Sequence, residues 1–255
     1  MSQYVGSKWR KTAALMRNDR LKPHIPKTVR YGSSQLDLML RRFGMVYAKP
    51  VSGRHGIGVL RVERASEAYR LRYGRRTIAF RSFPRLCEAI RALKREKPYL
   101  IQKGIRLLKH GGRPFDLRVM AQRSPARKWE TTGIIGRVAG PRRIVTNYHA
   151  GGKLVSAERL LRGHLPQGKL RGKIRELEKI GEAAGRAMIA RFPGVREVGV
   201  DAGLDQSKKI WIIEVNTAPD PYIFRAHPDP SVFRKIRRYA KAYGRRKSNK
   251  RRKPA

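Results

Sequence analysis

Carboxylates are scarce in this sequence, 18 Asp and Glu against 61 Lys and Arg, so an acid set inside an apolar strand asks for a chemical reason. Trp211-Ile212-Ile213-Glu214-Val215-Asn216 is such a stretch. The two-residue period of an extended chain puts Glu214 and Asn216 on one face, roughly 7 Å apart. Two oxygen-bearing side chains on one face suit a hard cation such as Mg²⁺. The segment Glu197-Val198-Gly199-Val200-Asp201 precedes it and ends on a second carboxylate. If the two form a hairpin, Asp201 approaches the Glu214/Asn216 face. Mg²⁺ held by few carboxylates takes its remaining ligands from nucleotide phosphates and water. A buried Glu214 paired with one of the many arginines satisfies the strand alone equally well.

A second group of residues suits phosphate. Lys49 ends a strand-like run and is followed by Ser52-Gly53-Arg54-His55-Gly56-Ile57-Gly58-Val59. Glycines let backbone N–H groups approach an anion and form a concave nest, and Lys49 adds a point charge at its entrance. The loop is not a Walker A motif, because Lys-Ser/Thr does not follow the glycines. It is not a dinucleotide fingerprint either, because the spacing is G-x-x-G-x-G and a strand follows instead of a helix. Taken alone it is more often a hairpin turn. Asp116 and Arg118 share the polar face of another strand, and Arg137 lies in a neighbouring one. An arginine forks two oxygens of a phosphate or acyl phosphate, although in so basic a chain any single arginine is first of all a surface residue.

These residues need elements to position them. Helical spacing marks Lys8–Asn18, Ser33–Phe43 (Leu36, Met39, Leu40, Phe43), Pro84–Glu96, Lys169–Phe192 and Val232–Tyr243. Strands are expected at Met45–Lys49, Val59–Val62, Thr77–Phe80, Tyr99–Gln102, Phe115–Gln122, Glu130–Ala139, Glu197–Asp201 and Lys209–Asn216. Phe115, Leu117 and Val119 alternate with Asp116, Arg118 and Met120.

The 255 residues suffice for one large domain or two lobes around a cleft. The formal charge of +43 attracts polyanions such as nucleic acid, acidic polymers or membrane surfaces; a solvated Lys/Arg-rich surface suited to an acidic or hot habitat is the plain alternative. Cys87 is the sole cysteine, which excludes an intramolecular disulfide and a multi-cysteine metal site. The N-terminus lacks the apolar stretch of a signal peptide, and no apolar run is long enough to span a bilayer. A cytoplasmic protein without membrane insertion is expected.

Taken in order, the motifs resemble the ATP-grasp superfamily. They are Tyr47-Ala48-Lys49-Pro50 with Gly53–Val59, Tyr99-Leu100-Ile101-Gln102-Lys103-Gly104-Ile105, Arg113–Val119, Thr146-Asn147-Tyr148-His149-Ala150-Gly151-Gly152, Val198–Asp201 and Ile213–Asn216. Within the superfamily the resemblance is nearest to the YheC/YheD group of spore-coat-associated proteins, and then to RimK-type ligases. It implies an α/β (α+β) ATP-grasp fold, two α/β lobes with nucleotide held between antiparallel sheets. Residues 1–24 are then a basic N-terminal segment, 25–104 the small lobe with the glycine-rich loop, 105–243 the large lobe with the metal site, and 244–255 a disordered basic tail. The resemblance gives Lys49 and Lys103 the ATP phosphates. It gives Gln102, Lys103 and Ile105 the adenine hinge, and Gly53, Gly56 and Gly58 the loop that closes over the phosphates. Asp201, Glu214 and Asn216 hold two Mg²⁺, and Arg118, Arg137 and Asn147 face the γ-phosphate and acyl phosphate. His149 is read as a loop residue.

The implied activity is carboxylate–amine ligation through an acyl phosphate, with ADP released and with an anionic peptide or polymer among the candidate substrates. Spore-coat association comes with the family. Members carry a further N-terminal domain, whereas here Lys49 arrives so early that about one helix stands in its place. Two other readings compete. One is a coat structural protein that keeps the fold without turnover; the other is a polyanion or nucleic-acid binder acting through the tail Arg245-Arg246-Lys247 and Lys250–Lys253.

Overall fold

The computed structural model describes residues 3–53, 56–66, 68–141, 146, 151–166 and 168–245. Helix α1 (Lys8–Met16) opens the chain, its first turn capped by Ser7, whose hydroxyl accepts the Arg10 N–H at 3.3 Å. Then follow β1 (Thr28–Arg30), α2 (Ser33–Phe43), β2 (Met45–Pro50), β3 (Leu60–Arg64), β4 (Tyr69–Tyr73), β5 (Arg76–Phe80), α3 (Phe83–Lys94) and β6 (Tyr99–Lys103). The strands form an antiparallel sheet in the order β1-β6-β2-β3-β4-β5. Leu36, Met39 and Leu40 of α2 and Leu86 and Ile90 of α3 pack against Val46, Ala48, Leu60, Val62 and Ile101 of the sheet. Because side chains alternate along β2, burying Val46 and Ala48 under the helices turns Tyr47 and Lys49 to the opposite face.

The rest of the chain builds a second antiparallel sheet. Its elements are β7 (Lys109–His110), β8 (Arg113–Arg123), β9 (Trp129–Val138), β10 (Lys153–Ser156), α4 (Ala157–Arg162), α5 (Lys169–Arg191), β11 (Glu197–Leu204), β12 (Ile210–Asn216) and α6 (Pro230–Ala242). The strand order is β10-β9-β8-β11-β12, with β7 beside β8. Helix α5 covers one face, where Leu177, Ala184 and Met188 meet Phe115, Leu117, Val119 and Val200. Helix α1 joins this same core through Ala14 and Leu15, packed near α5 and β12.

The alternation along β8 predicts one polar face, and the structure divides that face in two. Toward the far end Met120 is buried with Ile135, Ile223, Phe224 and Ile236 under α6 and the 3-10 turn Tyr222–Ala226. Only the near end, with Asp116 and Arg118, is left for the cleft. A buried polar network seats α6 over the sheet: the Tyr243 hydroxyl donates to Glu197 at 2.6 Å, Gln122 donates to that hydroxyl at 2.6 Å, and Arg245 pairs with Glu197. Among the described residues no helix is long and apolar enough to cross a membrane.

Candidate active site

The two sheets face each other across a cleft of about 1510 Å³. From the small lobe, Lys49 donates to Gln102 Oε1 at 2.6 Å. Burial pushes the Lys49 ammonium down to about 8, with Glu214 and Asp201 pulling it up and Lys8 pressing it lower still. The Gln102 amide in turn donates to the Thr28 hydroxyl at 3.2 Å, so this side chain holds Lys49 in place. The N–H of Lys103 goes to Lys27 O and that of Gly104 to Met45 O. The first amide past these two belongs to Ile105, which lines the cleft.

Gly53 and Gly56 of the glycine-rich loop also line the cleft. Gly58 anchors the end of the loop: its carbonyl accepts from the Tyr99 hydroxyl at 2.9 Å. A Cβ on Gly58 would lie 2.8 Å from that hydroxyl, and its φ of +77° is one that other residues rarely adopt. Arg54 and His55 lie outside the described residues.

The opposite wall is the hairpin of β11 and β12. Asp201 stands directly across from Glu214, and Gly199 across from Asn216, with a bulge just after Asp201. The Asn216 amide nitrogen lies 3.5 Å from Asp201 Oδ2. The strand on the other side, β8, puts Arg118 opposite Asp201, and its Nε donates to Oδ1 at 2.6 Å. Gly199 leaves room for this arginine, because a Cβ there would sit 3.1 Å from Arg118 Cδ and 2.7 Å from Pro219 Cβ.

Arg137 of β9 lies opposite Asp116 and grips it through Nε at 2.8 Å and Nη2 at 2.6 Å, while Nη2 is 3.1 Å from Asp201. The Thr146 hydroxyl donates to Asp116 at 2.5 Å. Burial pushes the Asp201 carboxyl up, but Arg118 and Arg137 outweigh it and hold it below its usual range. Burial likewise works against the Arg137 charge, and Asp116 and Asp201 hold its pKa above the ordinary value. Glu214 is looser. Its Oε1 lies 3.5 Å from Lys11 Nζ and 3.9 Å from Lys8 Nζ. Beyond it along β12, the Trp211 indole donates to Asp205 at 2.7 Å, and its ring carries Lys103 Nζ at 4.6 Å and Lys209 Nζ at 4.2 Å.

Of the expected site residues, Gly58 does not line the cleft and instead holds the end of its loop against Tyr99. Lys49, Gly53, Gly56, Gln102, Lys103, Ile105, Arg118, Arg137, Asp201, Glu214 and Asn216 all border one cleft. Asn147, with His149, lies outside the described residues. Sequence reasoning missed Lys8 and Lys11, and gave Thr146 a place in a motif but no role. The two lysines are one helical turn apart, which is visible in the sequence, but the lobe on which their helix docks is not. For Mg²⁺ the donor set fits. No group of three or more His, Cys, Asp or Glu that could hold a metal ion occurs among the described residues, so a cation here would rest on two carboxylates and an amide oxygen. Turning the Asn216 amide over exchanges its nitrogen for oxygen and completes an all-oxygen trio. Phosphate and water supply the rest. Around this trio Lys8, Lys11, Lys49, Arg118 and Arg137 outnumber Asp116, Asp201 and Glu214, an excess of positive charge suited to a polyphosphate.

Two antiparallel sheets enclosing such a cleft define an ATP-grasp protein. The fold matches the C-terminal domain of Pby1 from K. lactis, an ATP-grasp enzyme that interacts with the mRNA decapping enzyme Dcp2, with a TM-score of 0.50 and 13% identity over 92% of this chain and 72% of that one. The chain belongs to the YheC/D like ATP-grasp family, whose pattern residues 1–246 match. Endospore coat-associated protein YheD of Bacillus subtilis (strain 168) is 26% identical over 231 residues, and its counterpart YheC is 21% identical over 241 residues. These alignments take in 88% and 89% of the present chain but only 50% and 65% of those relatives.

Proposed function

We propose that this protein is an ATP- and Mg²⁺-dependent carboxylate–amine ligase that works through an acyl phosphate and releases ADP. The observation that carries the reading is the opposition, across one cleft, of the Asp201/Glu214/Asn216 face and the Lys49/Lys103 side. Lys49 and Lys103 hold the nucleotide phosphates, the stretch ending at Ile105 meets the adenine, and the Gly53–Gly58 loop covers the phosphates. Asp201, Glu214 and Asn216 would hold the Mg²⁺, which would neutralise charge on the phosphate oxygens.

The substrate carboxylate attacks the γ-phosphorus, and the bond to the β–γ bridging oxygen breaks, leaving ADP with the electron pair. An amine then attacks the acyl carbon, expels inorganic phosphate and gives up a proton, leaving an amide. The protein needs no nucleophile of its own; it supplies position and fixed positive charge. Arg118 meets Asp201 through Nε, and Arg137 meets Asp116 and Asp201 through Nε and Nη2. The other nitrogens of each guanidinium are the ones to meet the transferred phosphoryl group, a role the family resemblance also gives Asn147.

The test combines ATP, Mg²⁺ and mixtures of carboxylates and amines, follows ADP and phosphate, and identifies the product by mass spectrometry. Glu214→Gln should lower turnover by about 100-fold or more. Unchanged turnover in that variant would falsify the assignment. The names of the relatives carry a second reading, a coat-associated protein that binds nucleotide without turnover. It predicts nucleotide binding and no amide product from any mixture.

A further inference from the structure

Three lysines surround one carboxylate at the inner end of the cleft, and two of them come from outside both sheets. Lys8 and Lys11 belong to α1, with side chains 12% and 6% exposed, and both point at Glu214 Oε1. Lys49 reaches the same place from β2. Neither α1 lysine forms a close pair: 3.5 and 3.9 Å exceed the 2.7–2.9 Å of a formed charge-assisted bond. A cavity of about 30 Å³ lies among Lys8, Lys11, Lys49, Gln102 and Glu214, and the same residues border the main cleft. The three lysines thus border open space, with Lys49 bonded to Gln102, Lys8 to Gly53 O, and neither α1 lysine in close contact with an acid.

The N-terminal segment is held firmly in this position. The Val5 N–H donates to the Thr217 hydroxyl at 2.8 Å, beside Asn216. The Lys8 N–H donates to Val51 O at 2.8 Å, and its Nζ to Gly53 O at 3.1 Å. One short stretch thus ties the metal-side strand of the large lobe to the root of the glycine-rich loop of the small lobe. Glu214, with Asp201 acting on Lys49 from farther off, does not balance three sequestered ammonium groups, and unbalanced buried charge is costly. An anion of higher charge entering the cleft removes the imbalance.

We propose that Lys8 and Lys11 are two further ligands of the nucleotide's phosphates, supplied by the N-terminal segment. They stand over Glu214. With that carboxylate engaged by a cation they would be free to meet the phosphate oxygens, and Lys8 would keep the glycine-rich loop in register through Gly53. This inference rests on the nucleotide reading of the cleft.

The test is calorimetric titration of the full chain with Mg²⁺ and, separately, adenosine, AMP, ADP and a non-hydrolysable ATP analogue. Wild type is compared with Lys8→Met, Lys11→Met, the double variant and Lys11→Arg. Each Met substitution should weaken the ATP analogue by about tenfold, the value of one charge-assisted contact. ADP should lose less and adenosine nothing, and Lys11→Arg should restore most of the binding. Equal affinity of wild type and double variant for the analogue overturns the proposal while leaving the nucleotide site standing, and so does a loss of the same size for adenosine, which marks a structural role. A wild type that binds none of these ligands overturns the nucleotide reading itself, and this inference with it.

Discussion

Lys49 keeps its charge in a place that opposes it. Burial lowers the ammonium to about 8 from its ordinary 10.5, so without a nearby phosphate it gives up its proton near the top of the physiological range. Phosphates favour the charged form, and binding above pH 8 must therefore take up a proton. The sign follows: nucleotide affinity is level below about pH 7 and falls toward tenfold per unit as pH rises from about 8 to about 10. Titration in two buffers of different ionisation enthalpy measures the proton uptake directly. Lys49→Met should bind weakly at every pH with no uptake. Glu214 and Asn216 were legible in the sequence because a rare acid and an amide fell on a two-residue period, Asp201 because it ended the preceding apolar run, and Lys49 because a glycine-rich loop followed it. The grip of Arg137 on Asp116 was not, because it depends on which residues β8 and β9 set opposite each other. Lys8 and Lys11 were unreadable for the same reason on a larger scale: nothing local says where α1 docks.

The hairpin of β11 and β12 is the element on which the site depends. It places Asp201 across from Glu214, and the bulge after Asp201 shifts the register of everything beyond it. Gly199 keeps two neighbours close, Pro219 above and the Arg118 side chain beside it. Gly199→Ala should displace one of them and cost about 1–3 kcal/mol of stability, measured by urea unfolding, with a larger loss of turnover than of nucleotide binding because Arg118 is the mobile neighbour. The helices were legible to within a residue or two, since burial of one face imposes spacings of three and four. Strands β1, β4, β7 and β10 and helix α4 were not. Strand β4 alternates tyrosine and leucine with arginine (Tyr69-Arg70-Leu71-Arg72-Tyr73), so its charged face hides a strand that buries only Leu71. Strand β10 and helix α4 are four and six residues long, too short to display a period.

At the scale of the whole molecule, the +43 charge draws anions to the surface, but at the cleft the positive side chains are arranged by specific partners. Asp116 and Asp201 fix two arginines, Gln102 fixes Lys49, and Gly53 fixes Lys8. The lobes meet again at Trp211. Its indole, on the large-lobe strand β12, carries Lys103 from the end of the small-lobe sheet on its ring, with Lys209 and Asp205 of its own lobe close by. The emission colour of an indole follows the electric field across its ring, and here one source of that field rides on the other lobe. Of the three tryptophans, Trp9 and Trp129 can be replaced by phenylalanine to leave Trp211 alone. Its emission should then shift when Mg²⁺ and ATP draw Lys103 toward the phosphates, and a spectrum unmoved by saturating nucleotide would mean that Lys103 stays on the ring. If Lys103 leaves the ring on nucleotide binding as proposed, Trp211 is an optical gauge of closure within the chain, needing no attached dye and readable on the millisecond scale by stopped flow.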